Sequence, residues 1–338
     1  VTSLSFPYSL APFSVLLFTQ TACRCGAEGK ESVYTTAKDG HAATNKEENR
    51  RMQTAHRGPI VDTHMHVWKI DPPRYTLEQT LLDVPLPTTD APIEDLLADN
   101  ATAGVTQTVL VQPSTSGWNN RYIVESAMTH PHLFAAHGLI DPDSRTNAAD
   151  VRKWMAAGMA GFRLNLVRDR DPAWVSASRN YALWETAQEL GAVINVQMQP
   201  PQAWRLREIA HRYPGVKVIV DHLGKPDITE PPPYTHFSNI LALSDRPNTY
   251  VKVSALSLTS RGKEYPYRDV FPWVKMLYEA FGASRLVWGT GYPGAHRSLP
   301  LDKELAIITQ HLPFLLEDDK QWILGRTAMT IWPFATGS

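Results

Sequence analysis

From Ile60 onward the chain alternates between short β-branched apolar runs and longer stretches whose apolar residues recur at helical spacing. The runs predict strands at 60–68, 106–111, 134–140, 160–166, 192–198, 216–222, 250–255 and 285–290. Between and after them the pattern predicts helices over 92–103, 120–129, 147–157, 181–190, 202–213, 237–243, 270–281, 301–311 and 318–329. Local punctuation agrees: Pro92 stands at a helix start with Glu94 and Asp95 in the first turn, and Gly191 and Gly282 follow helix ends. Strict β/α alternation implies a parallel sheet, and eight such units over roughly 270 residues fit a closed (β/α)₈ barrel. An open doubly wound sheet would carry a glycine-rich phosphate turn after its first strand, where this chain has His64-Met65-His66-Val67-Trp68.

In a barrel the chemistry gathers where the strands end. Those ends carry His64 and His66, Gln112, Arg163 and Asn165, Gln197, His222, Ser254 and, after the last strand, Gly291. Alternation puts Asp62, His64 and His66 on one face of the first strand, Gly161, Arg163 and Asn165 on one face of the fourth, and Val218, Val220 and His222 on one face of the sixth. With those faces inward, three histidines and an arginine converge on a single mouth. The His-x-His spacing suits either a shared metal ion or a polarised carbonyl oxygen, because neutral imidazole is a ligand at one nitrogen and a donor at the other. Bland readings compete: Arg163 paired with a neighbouring carboxylate, His222 a satisfied core histidine.

Composition narrows the partners. With 338 residues, 43% of them hydrophobic and 20% charged, the chain can bury a sizeable core, and a net charge of -1 gives no reason to invoke nucleic acid or an anionic membrane. Cys23 and Cys25 are the only cysteines, so no disulfide framework serves the body of the protein. Residues 1–57 differ from the rest. Residues 5–18 are apolar but interrupted by Pro7 and Pro12, too short to span a bilayer, and no Lys or Arg precedes Arg24. Residues 26–57 are polar and read as disordered. The expected organisation is an N-terminal extension, 1–57, and one barrel domain, 58–336. The expected compartment is cytoplasmic, the alternative being export if residues 1–25 act as a degenerate signal. The oligomeric state stays open.

Four segments then carry a resemblance: Val61-Asp62-Thr63-His64-Met65-His66-Val67-Trp68, Gly161-Phe162-Arg163-Leu164-Asn165, Asp221-His222-Leu223-Gly224-Lys225-Pro226 and Leu286-Val287-Trp288-Gly289-Thr290-Gly291-Tyr292-Pro293. In type and order they resemble the amidohydrolase superfamily, and within it the amidohydrolase-related branch that includes pyrone-dicarboxylate and sugar-lactone hydrolases. The resemblance implies a TIM-barrel hydrolase that opens a small lactone. It makes His64, His66 and His222 the catalytic histidines and Arg163 the receiver of an anionic substrate, a role that suits a planar guanidinium fork. Asn165, Gln112, Tyr75, Lys225 and Ser254 are the further expected substrate contacts, with Trp68, Trp118 and Tyr292 as aromatic walls. No metal is obligatory on this reading; a single divalent ion such as zinc, held by His64, His66 and His222, is the alternative.

One residue departs from the family pattern. Members carry an aspartate as general base in Trp-Gly-(Thr/Ser)-Asp-(Tyr/Trp)-Pro, and this chain has Gly291 in that slot. Asp221, expected to face away from the mouth, and His296 are the substitutes considered. The competing readings are an impaired barrel that binds small anions and a decarboxylase of the neighbouring branch.

Overall fold

Eight parallel strands pair in sequence order: β1 (Val61–Met65), β2 (Gln107–Val111), β3 (Phe134–Leu139), β4 (Gly161–Asn165), β5 (Val193–Gln197), β6 (Val218–Val220), β7 (Thr249–Val253) and β8 (Leu286–Trp288). The computed structural model describes residues 58–80, 85–167, 172–294, 299–332 and 334–336, all within one compact unit, Asn49–Ser338. The expected disorder of residues 26–57 and the leader-like stretch therefore lie outside the described residues.

The seam between β1 and β8 is closed by backbone contacts. Met65 bridges Tyr292 in parallel, His66 N–H donates to the Tyr292 carbonyl at 2.8 Å, and Gly291 N–H donates to the His64 carbonyl at 2.7 Å. Thr63 Oγ1 adds a hydrogen bond to the Trp288 carbonyl at 2.6 Å. The eight strands thus form a (β/α)₈ barrel.

Strand alternation sorts the apolar residues into two layers. Val61, Val109, Ala135, Val193, Ile219 and Val287 fill the interior together with Trp332 and Ile331 from the C-terminal end of the chain. Trp332 donates its indole N–H to His137 Nε2 at 2.7 Å, which ties that end to β3. The outward residues, among them Leu110, Phe162, Ile194, Val220 and Val251, pack against Leu96, Ile123, Trp184, Leu206 and Leu277 of the surrounding helices. Gly161 is demanded by this geometry: a Cβ there would stand 2.0 Å from the Val193 carbonyl oxygen.

Several boundaries differ from the pattern reading. The sixth strand stops at Val220 rather than at residue 222, because His222 (φ 53°), Leu223 (φ 58°) and Lys225 (φ 51°) take left-handed backbone. The helix predicted over 301–311 is α-helical over Leu301–Ala306 and widens into a π turn over Ile307–His311. The last helix is likewise interrupted, by a π turn at Trp322–Arg326. A four-residue helix, Leu256–Thr259, follows β7 where no helix was predicted. Among the described residues no helix is long and apolar enough to cross a membrane.

Candidate active site

Inside the carboxyl end of the barrel one carboxylate is gripped from two sides. Arg163, inward on β4, donates from Nε to Asp221 Oδ2 at 2.8 Å, while Lys252 Nζ, inward on β7, stands 3.2 Å from Asp221 Oδ1. Asp221 and Lys252 are fully buried and Arg163 nearly so. The expectation that Asp221 faces away from the mouth is therefore overturned. With β6 ending at Val220, the inward positions are Ile219 and Asp221, and Val218 and Val220 pack outward. His222 reaches the mouth through the left-handed turn that follows, not through strand alternation.

Lys252 also donates to the Thr63 carbonyl at 2.8 Å and lies 3.0 Å from His64 Nδ1. His64 Nε2 is buried with no hydrogen-bond partner. Around His64 stand His66 and His222, ring centroids 4.9 and 4.4 Å away, both approached edge-on. His66 donates from Nδ1 to the Val111 carbonyl at 2.7 Å, which leaves a lone pair on Nε2. His222 Nδ1 pairs with Ser254 Oγ at 2.9 Å.

The electrostatics follow from burial. Burial and then the Lys252 charge hold His64 well below the usual imidazole value. Burial, aided by Arg163, brings His66 down to about 4, and burial brings His222 down to about 3. All three rings are neutral at physiological pH. Burial pushes the Asp221 carboxyl up, but the charges of Lys252 and Arg163 outweigh it and hold the group well below the carboxylate range. Burial lowers Lys252 to about 8 against the pull of Asp221, so it remains an ammonium at neutral pH.

Of the other predicted contacts, Asn165 and Ser254 join this cluster. Asn165 Nδ2 and Arg163 Nη2 both donate to Gln197 Oε1 at 2.7 Å, so the guanidinium keeps only part of its fork for a ligand. Gln112 spends its amide on the carbonyls of Ser116, Gly117 and Asn119, organising the loop after β2. Tyr75 donates to Glu125 Oε2 at 2.6 Å and meets Tyr122 edge-on. Lys225 sits on left-handed backbone in the turn after His222. Tyr292 is buried and hydrogen-bonded to Asp99 rather than lining the mouth. Trp68 donates to the Thr89 carbonyl, and Trp118 lines a groove with Trp154 and Lys153 beside the end of β3.

Gly291 sits at φ 87°, and a Cβ there would meet nothing within 4 Å. The slot thus has room for a side chain but a backbone that disfavours one. His296, the other substitute base considered, lies outside the described residues.

Sequence reasoning missed Lys252. Its signal is alternation with Ser254 on a buried strand, a position where a lysine is costly unless paired. It also misplaced Asp62, which turns to the backbone, accepting N–H groups from His64 at 2.9 Å and Thr290 at 3.2 Å. A register irregularity in β1 between Asp62 and Met65 separates it from the two histidines.

A parallel barrel with neutral imidazoles and paired cations at its carboxyl mouth defines a (β/α)₈ enzyme of the hydrolytic type. The amidohydrolase family model matches residues 61–334, and the chain belongs to that family. It is 27% identical over 235 residues to an L-fucono-1,5-lactonase of Burkholderia ambifaria, covering 69% of this chain and 80% of the relative. It is 26% identical over 257 residues to a 2-pyrone-4,6-dicarboxylate hydrolase of Comamonas testosteroni, covering 72% and 82%. A zinc-bound amidohydrolase from Burkholderia multivorans shares the fold, with a TM-score of 0.67 at 19% identity over 81% of this chain and 99% of that one.

The family invites a divalent ion, and His64, Asp221 and His222 bring ligand atoms within 4.8 Å of one another. His64 Nε2 and Asp221 Oδ1 are buried without a hydrogen-bond partner, as ligand atoms awaiting an ion would be, but the charges around them oppose one. Asp221 already faces a guanidinium and an ammonium, and His64 Nδ1 faces the same ammonium. A dication placed among them would join two cations around a single carboxylate.

Proposed function

We propose that this chain hydrolyses a small lactone, a sugar lactone or a pyrone carboxylate, by attack of water on the ring carbonyl and without an obligatory metal. The observation that carries the reading is the convergence of three neutral imidazoles on one mouth, backed by the buried Arg163–Asp221–Lys252 cluster. The activities named for the two relatives, both of which act on cyclic esters, support the same class.

In this reading the unpartnered His64 Nε2, with His222, polarises the carbonyl oxygen. The remaining guanidinium N–H groups of Arg163 meet a substrate carboxylate or ring oxygen. His66 Nε2 takes a proton from water as its oxygen bonds to the carbonyl carbon; the ring C–O bond then breaks and the proton passes to the leaving oxygen. Asp221 is unsuited to that task because its oxygens face cations. A second reading rests on Gly291: without a carboxylate in that slot, the barrel binds small anions and turns over little.

Proton release over a panel of sugar lactones and pyrone carboxylates, with mass analysis of products, separates these readings. A ring-opened hydroxy acid supports hydrolysis. Saturable anion binding without turnover favours the second reading, and carbon dioxide release would replace both with decarboxylation.

A further inference from the structure

Lys252 is the one lysine of the barrel interior among the described residues, and each of its contacts is accounted for: the Thr63 carbonyl at 2.8 Å, His64 Nδ1 at 3.0 Å and Asp221 Oδ1 at 3.2 Å. An ammonium has only protons to offer. His64 Nδ1 has two polar neighbours, this ammonium at 3.0 Å and Asp221 Oδ1 at 3.4 Å; the nearer one can only donate, so Nδ1 turns its lone pair to it and a neutral His64 carries its proton on Nε2. That nitrogen is buried, without a protein partner, and flanked by the two other imidazoles. A metal ligand at Nε2 would need the proton on Nδ1, where it would point at Lys252.

We infer that Lys252 is a positioning residue: it fixes His64 as an Nε2–H donor aimed at the substrate's carbonyl oxygen, and the same contact denies His64 and Asp221 to a divalent ion. The first half rests on the hydrolytic reading of the site; the second stands on geometry alone. On this inference Lys252 supplies, from the protein itself, the positive charge that an ion would bring next to Asp221. It does so one bond removed from the reacting carbonyl, through the imidazole.

The tests need no substrate to begin. In ¹⁵N-histidine-labelled protein, with His64 assigned through His64→Gln, Nδ1 is expected to resonate as the unprotonated nitrogen and Nε2 as the protonated one. Cobalt(II) chloride added to the wild-type protein is expected to give no ligand-field absorption. Lys252→Met should release the tautomer and create a site that binds one cobalt ion per chain, with visible bands. Its kcat should fall by about 10²–10⁴-fold, the scale of a misassigned catalytic tautomer or a lost oxyanion donor, with little change in KM. Lys252→Gln, which keeps an N–H donor without the charge, should retain the Nε2–H tautomer and recover part of the rate; it also serves if the methionine variant does not fold.

A protonated Nδ1 in the wild type overturns the inference, as does stoichiometric cobalt binding that shifts the His64 signals. So does a Lys252→Met protein with an unchanged tautomer. If the lactone panel shows no turnover while the tautomer and cobalt results come out as expected, the hydrolytic reading fails and Lys252's exclusion of metal stands.

Discussion

Arg163 Nε donates to Asp221 Oδ2 at 2.8 Å, joining the middle of β4 to the residue that follows β6 across the barrel interior. Because Lys252 approaches the other oxygen, one buried carboxylate balances two buried cations. Removing one member of such a cluster costs far more than the cluster contributes, since it strands the remaining charges away from water. Asp221→Asn is therefore expected to lower stability by about 3–5 kcal/mol, read as a shift of the urea midpoint. A loss under about 1 kcal/mol would mean that water reaches the cluster and screens it.

A replacement at His66 tests the proton acceptor. The Nδ1–H bond to the Val111 carbonyl fixes the ring and leaves Nε2 bare, and no other imidazole of the trio has its free lone pair so defined. His66→Gln should lower kcat by about 10²–10⁴-fold with a smaller change in KM. If the loss falls in KM with kcat intact, His66 holds the substrate and the base lies elsewhere.

What the sequence made legible follows the regularity of the backbone. His64, His66, Arg163, Asn165 and Ser254 lie on or just beyond extended strands, and their strand-end positions could be read directly from the chain. Asp221 and His222 could not be placed that way. Left-handed backbone at His222 and Leu223 breaks the two-residue period at the point where the motif begins. Lys252 was readable in principle, but a lysine is ordinarily a surface residue, and only its carboxylate partner from another strand explains its burial. The aromatic side chains were not legible for a similar reason: loop residues such as Tyr292 and Trp118 are oriented by packing, which the local pattern does not encode.

A second buried pair gives the fold a pH signature. Glu304 is buried, its Oε1 has no hydrogen-bond partner, and burial together with the nearby Asp62 raises it from 4.5 to about 8. Asp62 is raised to about 6, chiefly by burial. The unfolded chain gives up the Glu304 proton near 4.5, whereas the folded protein keeps it until about 8. The folded state binds more protons across that window, so its stability falls as pH rises through it. Glu304→Gln removes the term. Urea midpoints at pH 5 and pH 8 should show the variant gaining on the wild type as pH rises, by about 4 kcal/mol at most. Parallel profiles would show that Glu304 titrates alike in the folded and unfolded states.

The last prediction concerns the empty slot after β8. Gly291 is anchored beside the three clustered histidines by its N–H on the His64 carbonyl, and space for a side chain is open there. A carboxylate in this position is a second proton acceptor beside an imidazole that burial holds near pKa 4, provided that it fits the slot and reaches water. The open space favours the first condition, and the contact with His64 the second. Gly291→Asp is thus expected to raise kcat on the panel's best lactone by about 10²–10⁴-fold. Its left-handed backbone at φ 87° should cost about 1–2 kcal/mol of stability. Gly291→Ala isolates that cost: it should lose the same stability and gain no rate. A folded Gly291→Asp protein with unchanged kcat would show that the slot does not face the attacking water, and the search for the base would return to His66.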